Sequence, residues 1–219
     1  MFPPLTDFVA LVGVAVVACA ACLRLYGLVF TTADLANAKS RSLVGLCFVV
    51  MWIPLGVAHL PVAAYLRGLT SDFSVSLVVL ATLNLFSRLF SLKFFDRRER
   101  QAVFYGVAAT ALFLYPLALG WGDWDAYRLG WGSVAMWAGL LLVCIVCWVA
   151  KLRLLPLLIG LAMASWAAQL LESTNLWDYL FDPWLATAAI LKSGAAAATQ
   201  LRGRFLHKKN VGKITGEIS

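Results

Sequence analysis

The residues best placed to do chemistry lie in the acidic run Glu172-Ser-Thr-Asn-Leu-Trp-Asp-Tyr-Leu-Phe-Asp-Pro183, which holds Glu172, Asp178 and Asp182 and no base. Asp123 and Asp125 occupy the connection two apolar segments earlier. Carboxylates gathered on one face attract cations and repel anions, as charged rings do at channel mouths; their bland reading is that this side simply tolerates acids. Ser165, Gln169 and Glu172 recur at i, i+4 and i+7, so one helical face leads into the acidic run. A second stripe, Asn84, Ser87, Arg88 and Ser91, also falls on one helical face. Turning Arg88 toward lipid would be costly, so the stripe faces a wet or packed interior, or Arg88 snorkels to head groups near Lys93. Its counter-charge is then a loop acid (Asp34, Asp96 or Glu99), a lipid phosphate or an anionic ligand.

His59 is the one histidine within an apolar segment, bracketed by Pro54 and Pro61. It matches Gln169 and Glu172 in depth, so a His59–Glu172 hydrogen bond or proton relay forms if their helices touch; otherwise His59 bonds helix to helix. Cys19 and Cys22, and Cys144 and Cys147, form two C-x-x-C pairs. Four thiolates could hold a metal, but zinc sites of this kind occupy wet turns and apolar burial disfavours the thiolate. The cysteines therefore read as small packing residues, and no metal or other cofactor is expected. The sequence holds no G-x-S-x-G, H-E-x-x-H, P-loop or paired D-x-x-x-D run. A membrane enzyme acting on a lipid or polyprenyl phosphate could hold phosphate with Arg88, yet no nucleophile or base stands beside it.

These residues are carried by a chain that is 62% apolar and 13% charged over 219 positions, outside the range of a soluble globular domain. Six windows are long and apolar enough to cross a bilayer: Phe8–Phe30, Leu43–Leu66, Val75–Phe95, Ala102–Gly120, Trp131–Ala150 and Leu154–Leu171. A seventh, Tyr179–Ala198, is interrupted by Asp182, Pro183, Lys192, Ser193 and Gly194. Charge bias favours counting it. Arg24, Lys39, Arg41, Lys93, Arg97, Arg98, Arg100, Lys151, Arg153 and the tail bases Arg202, Arg204, Lys208, Lys209 and Lys213 fall on one side, against Arg67 and Arg128 on the other. The positive-inside rule then places the N-terminus outside and the C-terminus in the cytoplasm, with seven crossings; six is the alternative.

The expected fold is thus an all-α helical bundle over residues 1–198, followed by a flexible basic tail over 199–219. The tail reads as a segment drawn to anionic lipids, with too few bases and no interleaved aromatics for nucleic acid. The first segment lacks the basic flank of a signal peptide and reads as an uncleaved helix. Trp121, Trp124, Trp131, Trp177 and Trp184 all fall at outer ends, where indoles anchor or form a docking surface.

Trp121-Gly-Asp-Trp-Asp-Ala-Tyr-Arg128 faintly resembles the tryptophan-rich outer loop of haem-handling cytochrome c assembly proteins. Its spacing differs, and with only His59 and His207 the chain lacks that family's paired histidines, so no role is carried over. The sequence leads to two expectations. One is a small permease or channel in a bacterial inner membrane, with His59, Gln169, Glu172, Asp178 and Asp182 at an acidic outer mouth and Asn84, Ser87 and Arg88 continuing inward. The other is a non-catalytic subunit that assembles with a membrane partner or with copies of itself, its stripes being helix contacts. The absence of Asn-x-Ser/Thr agrees weakly with a bacterial source.

Overall fold

In the computed structural model, residues 4–29 and 38–216 are described, with side chains given up to residue 200. The tail side chains and Asp34 lie outside that set. The architecture is all-helical: α1 (Leu5–Val29), α2 (Ala38–Met51), α3 (Val62–Thr70), α4 (Val75–Phe90), α5 (Arg97–Ala118), α6 (Val134–Val149), α7 (Leu154–Ala167), α8 (Leu176–Leu180) and α9 (Pro183–Gly216). A two-stranded hairpin, β1 (Pro54–Leu55) and β2 (Leu60–Pro61), separates α2 from α3, and a 3-10 turn spans Ala126–Gly130.

Local chemistry sets these boundaries. Ser74 and Ser133 cap α4 and α6 by accepting from Leu77 N and Met136 N, each at 3.2 Å, and Asp96 with Glu99 forms a capping box on α5. Asp182 and Pro183 do not interrupt a span: they begin α9, the carboxylate accepting from Leu185 N at 2.8 Å and the proline taking the first helical position, where its missing N–H is no loss. Ser91 and Gln169, both at positive φ, end α4 and α7, so these helices are shorter than their apolar windows.

The second window departs most from expectation. The helix stops at Met51, the hairpin takes over, and His59 sits exposed in its turn rather than inside a span. Pro54 and Pro61 face each other across the hairpin, since neither can donate within a helix. α9 runs from Pro183 through the basic segment to Gly216, favoured by the run Ala195–Ala198.

Among the described residues two helices, Leu5–Val29 and Arg97–Ala118, are long and apolar enough to cross a membrane, and three shorter apolar helices accompany them. α5 packs on α9, α1 on α4 and α2, and α7 on α4 and α6. Small residues let the α5 and α9 backbones approach: Ala108, Ala111, Ala186 and Ala189 are all buried in the main core. Cys19 belongs to the α1–α4 core, whereas Cys147 is buried on α6. The four C-x-x-C thiols are not gathered: among the described residues no group of three His, Cys, Asp or Glu could hold a metal.

Candidate functional site

The start of α1, the β2–α3 segment, the α3–α4 turn, the loop after α7, α8 and the start of α9 enclose a cleft of about 940 Å³ lined by Asp7, Arg67, Asp72, Glu172, Asp178 and Asp182. One base among five acids is its defining feature. Arg67, on the last turn of α3, donates from Nε to Asp72 Oδ1 at 2.5 Å, from Nη1 to Asp7 Oδ1 at 2.7 Å and from Nη2 to Glu172 Oε1 at 2.8 Å. The guanidinium fork suits this task because it aims several donors in fixed directions, so one side chain ties α1, the α3–α4 turn and the loop after α7. Hydrogen bonding, to Asp72 most of all, holds the Arg67 pKa above its already high ordinary value.

The acids differ in how far they are committed. Asp182 is buried and used in the fold: one oxygen caps α9 and the other accepts from Ser74 N at 2.8 Å. Asp178 accepts from Ser173 Oγ and from Tyr127 Oη, the latter within 2.8 and 2.9 Å of its two oxygens. Burial, then that carboxylate, pushes the Tyr127 phenol above its usual range, because ionising it would place two anions in contact. Glu172 is the open member, its side chain 64% exposed against 21% for Asp72 and 31% for Asp7.

Side-chain donors hold the loops that carry these acids. Asn175 Nδ2 donates to Tyr127 O at 3.0 Å, Trp177 Nε1 to Ala126 O at 3.2 Å and Trp166 Nε1 to Thr174 O at 2.8 Å. Tyr179 Oη accepts from Leu171 N at 3.1 Å and donates to Ser173 O at 3.0 Å. The approach is so close at Gly130 that a Cβ would collide with the Asn175 carboxamide and lie 2.7 Å from Trp177 Cδ1. Trp184 ties α9 to α3 by donating to Thr70 O at 3.2 Å.

Of the residues expected from sequence, the cleft brings together Glu172, Asp178 and Asp182. His59 and Gln169 do not line it, and Glu172 pairs with Arg67 rather than with His59. Asn84 and Ser87 also stay outside the lining; Asn84 lies ten residues past the Ser74 cap, roughly 15 Å down α4. Arg88 finds a partner on its own helix, donating from Nε to Asn84 Oδ1 at 3.1 Å. Asp125 caps the 3-10 turn through Tyr127 N, and Asp123 is exposed outside the cleft. Trp177 is buried in the core, whereas Trp121, Trp124, Trp131 and Trp184 remain exposed.

The sequence reading missed Arg67, Asp7 and Asp72 as a site. Arg67 stood out only as one of two bases on the acid-rich side, and nothing local ties it to Asp7, sixty positions away.

Chemically the cleft can hold a cation. Leu11, Trp52, Leu60, Leu171 and Phe181 give it apolar walls for the body of such a ligand. No histidine, cysteine or lysine occurs among the described lining residues, so a nucleophile–base pair of the usual kind is not assembled there. Comparison with protein-family models, with curated proteins and with solved structures returns no match for this chain, so the reading of the cleft rests on its own residues.

Proposed function

We propose that the chain is a seven-span protein of a bacterial inner membrane, N-terminus outside, that takes up a small organic cation at the acidic cleft and moves it across the bilayer. The observation that carries this reading is the excess of acids around Arg67 in an open, apolar-walled cleft. Glu172, the most exposed partner of Arg67, is the carboxylate positioned to exchange the tethered guanidinium for an incoming cation. The break between α2 and α3 supports the same reading. Trp52, Leu60 and Pro61, at that break, line the cleft, and discontinuous helices beside a polar site are a recurring device of transporters.

Membrane placement draws support from the outward faces. α6 exposes Leu141, Leu142, Val143, Ile145, Val146, Trp148 and Val149, a surface that water would disfavour and lipid would not. Seven helical units follow in order: α1, the broken α2–α3 pair, α4, α5, α6, α7 and α9. Below the cleft, Ala111, Leu114, Leu158, Ala162 and Ala189 pack into an apolar core, so this arrangement is a closed one with its site open to the acidic side.

Uptake by purified protein in vesicles, with guanidinium and spermidine as probes and sulfate as control, tests the proposal under an inside-negative potential. Cation uptake should exceed that of empty vesicles, sulfate uptake should not, and Glu172→Gln should reduce the cation signal about tenfold at equal protein insertion. Cation uptake equal to that of empty vesicles would overturn transport.

A second reading, a non-catalytic subunit, is favoured by the exposed indoles of Trp121, Trp124, Trp131 and Trp184 on the same end. A stoichiometric partner recovered in mild detergent, lost on Trp121→Ala with Trp124→Ala, would support it.

A further inference from the structure

At the ends of α4 and α7 remote from the acidic cleft, the turn before α5 and the turn before α7 enclose a cavity of about 430 Å³. Its charged lining is Arg98, Lys151 and Arg153 with Asp96 and Glu99. One hydrogen bond joins the two turns: Arg153 N donates to Glu99 Oε1 at 2.9 Å, so a carboxylate from the first turn of α5 caps the start of α7. The other Glu99 oxygen accepts from Asp96 N at 3.0 Å, and Asp96 completes the capping box of α5. Both acids of the cavity are thus engaged by backbone N–H groups. The bases are not so engaged: among the described residues Arg98, Lys151 and Arg153 form no ion pair, and all three are exposed.

Local rules disfavour bases at these positions. Arg98 in the first turn of α5 and Arg153 at the N-cap of α7 put positive charge where each helix dipole favours negative. Lys151 closes α6 at a φ of 59°, a left-handed position that glycine fills without strain, with Leu152 N returning to Cys147 O at 2.8 Å. An anion seated in the cavity offsets the charge of all three bases at once and meets the positive ends of both helices. Phe94, Phe95 and Leu152 supply the apolar part of the lining, with Phe94 45% exposed, so a ligand that fits carries hydrocarbon beside its anionic group.

From this cavity we infer a phosphate-binding site, in which Arg98, Lys151 and Arg153 hold the phosphate group and Phe94 and Leu152 face the rest of the ligand. Arginine forks and a lysine point charge are the usual partners of phosphate oxygens. Basic pockets between helices hold the head groups of anionic lipids in membrane proteins, and free phosphate offers the same oxygens. The site does not rest on cation transport at the acidic cleft, and only its lipid source needs the membrane placement proposed above. It differs from diffuse attraction of the basic tail because it assigns a cavity.

The test uses the purified full-length protein in detergent, titrated separately with phosphatidylglycerol, phosphatidylcholine and inorganic phosphate, with thermal stability and native mass spectrometry as readouts. Phosphatidylglycerol should stabilise the protein and remain bound, and phosphatidylcholine should not. The triple variant Arg98→Gln, Lys151→Gln, Arg153→Gln should bind it about a hundredfold more weakly, about fivefold for each base removed. A variant that takes the same charge from the tail, Arg202→Gln, Arg204→Gln, Lys208→Gln, should keep most of the binding. If the first triple variant fails to fold, Lys151→Gly separates ligand from fold: glycine suits the left-handed position, so the variant should melt no lower than the parent while binding about fivefold more weakly.

Stabilisation by inorganic phosphate at the same concentration would support the site and name free phosphate as its source. Equal effects of the two lipids with none from inorganic phosphate, equal losses in the two triple variants, or unchanged binding in Lys151→Gly would overturn it. Asp34, which lies outside the described residues, supplies one more check: Asp34→Asn should bind within about twofold of the parent, and a tenfold gain would assign the cavity to that carboxylate and overturn the phosphate site.

Discussion

Replacing Arg67 with glutamine keeps a polar side chain of similar reach and removes the single cation from a cleft of five acids. Three charge-assisted contacts disappear together, to Asp72, Asp7 and Glu172. Such contacts contribute about 1.5–3 kcal/mol each when buried, but these are partly exposed and must be discounted for screening. A contribution of about 1 kcal/mol each for Asp72 and Asp7, a few tenths for Glu172, and some repulsion among the carboxylates left behind gives a loss of about 2–3 kcal/mol. For a chain of this size that corresponds to a drop of about 5–10 °C in melting midpoint. The assay is thermal unfolding of purified protein in detergent, with double-mutant cycles pairing Arg67→Gln with Asp72→Asn and, separately, with Glu172→Gln. The Asp72 coupling should be the larger, about 1 kcal/mol against a few tenths. An Arg67→Gln variant melting within about 1 °C of the parent, or a Glu172 coupling larger than that of Asp72, would refute the reasoning.

Gly130→Ala should lose about 3 kcal/mol or more, since its methyl group has no room beside Asn175 and Trp177; size-exclusion chromatography should show aggregated rather than folded protein. Tyr127 adds an alkaline signature. Its folded-state pKa lies above its ordinary value of 10, so its stabilising effect is complete below pH 10 and falls as pH rises beyond it. The melting-point advantage of wild type over Tyr127→Phe should therefore shrink from pH 10 upward, and an advantage that grows there would contradict the Tyr127–Asp178 contact. For the seven-span topology, a cysteine at Asp123 should react with an impermeant maleimide from outside intact cells and one at Lys151 only after lysis, in a background lacking the native cysteines; the reverse pattern would invert the proposed orientation.

What the residues disclose by themselves follows from short-range physics. Apolar windows at Phe8–Phe30 and Ala102–Gly120 announce α1 and α5, because a helix satisfies its own backbone wherever side chains are apolar. The clustering of Glu172, Asp178 and Asp182 at one end was legible for the same reason, since loop acids stay near the helix ends that carry them. The position of Asp182 and Pro183 as the start of α9 was also available from capping rules, although hydropathy alone placed them inside a span.

Tertiary structure decided the rest. Arg67 meets Asp7 and Glu172 only because α1, α3 and the loop after α7 converge, and no periodicity encodes a contact across sixty or a hundred positions. His59 left the helix because the Pro54–Pro61 segment folds back as a hairpin, a choice between two backbone-satisfying structures that a hydropathy window cannot see. Charge bias assigns side chains to an end of a bundle, whereas packing alone determines which of them touch.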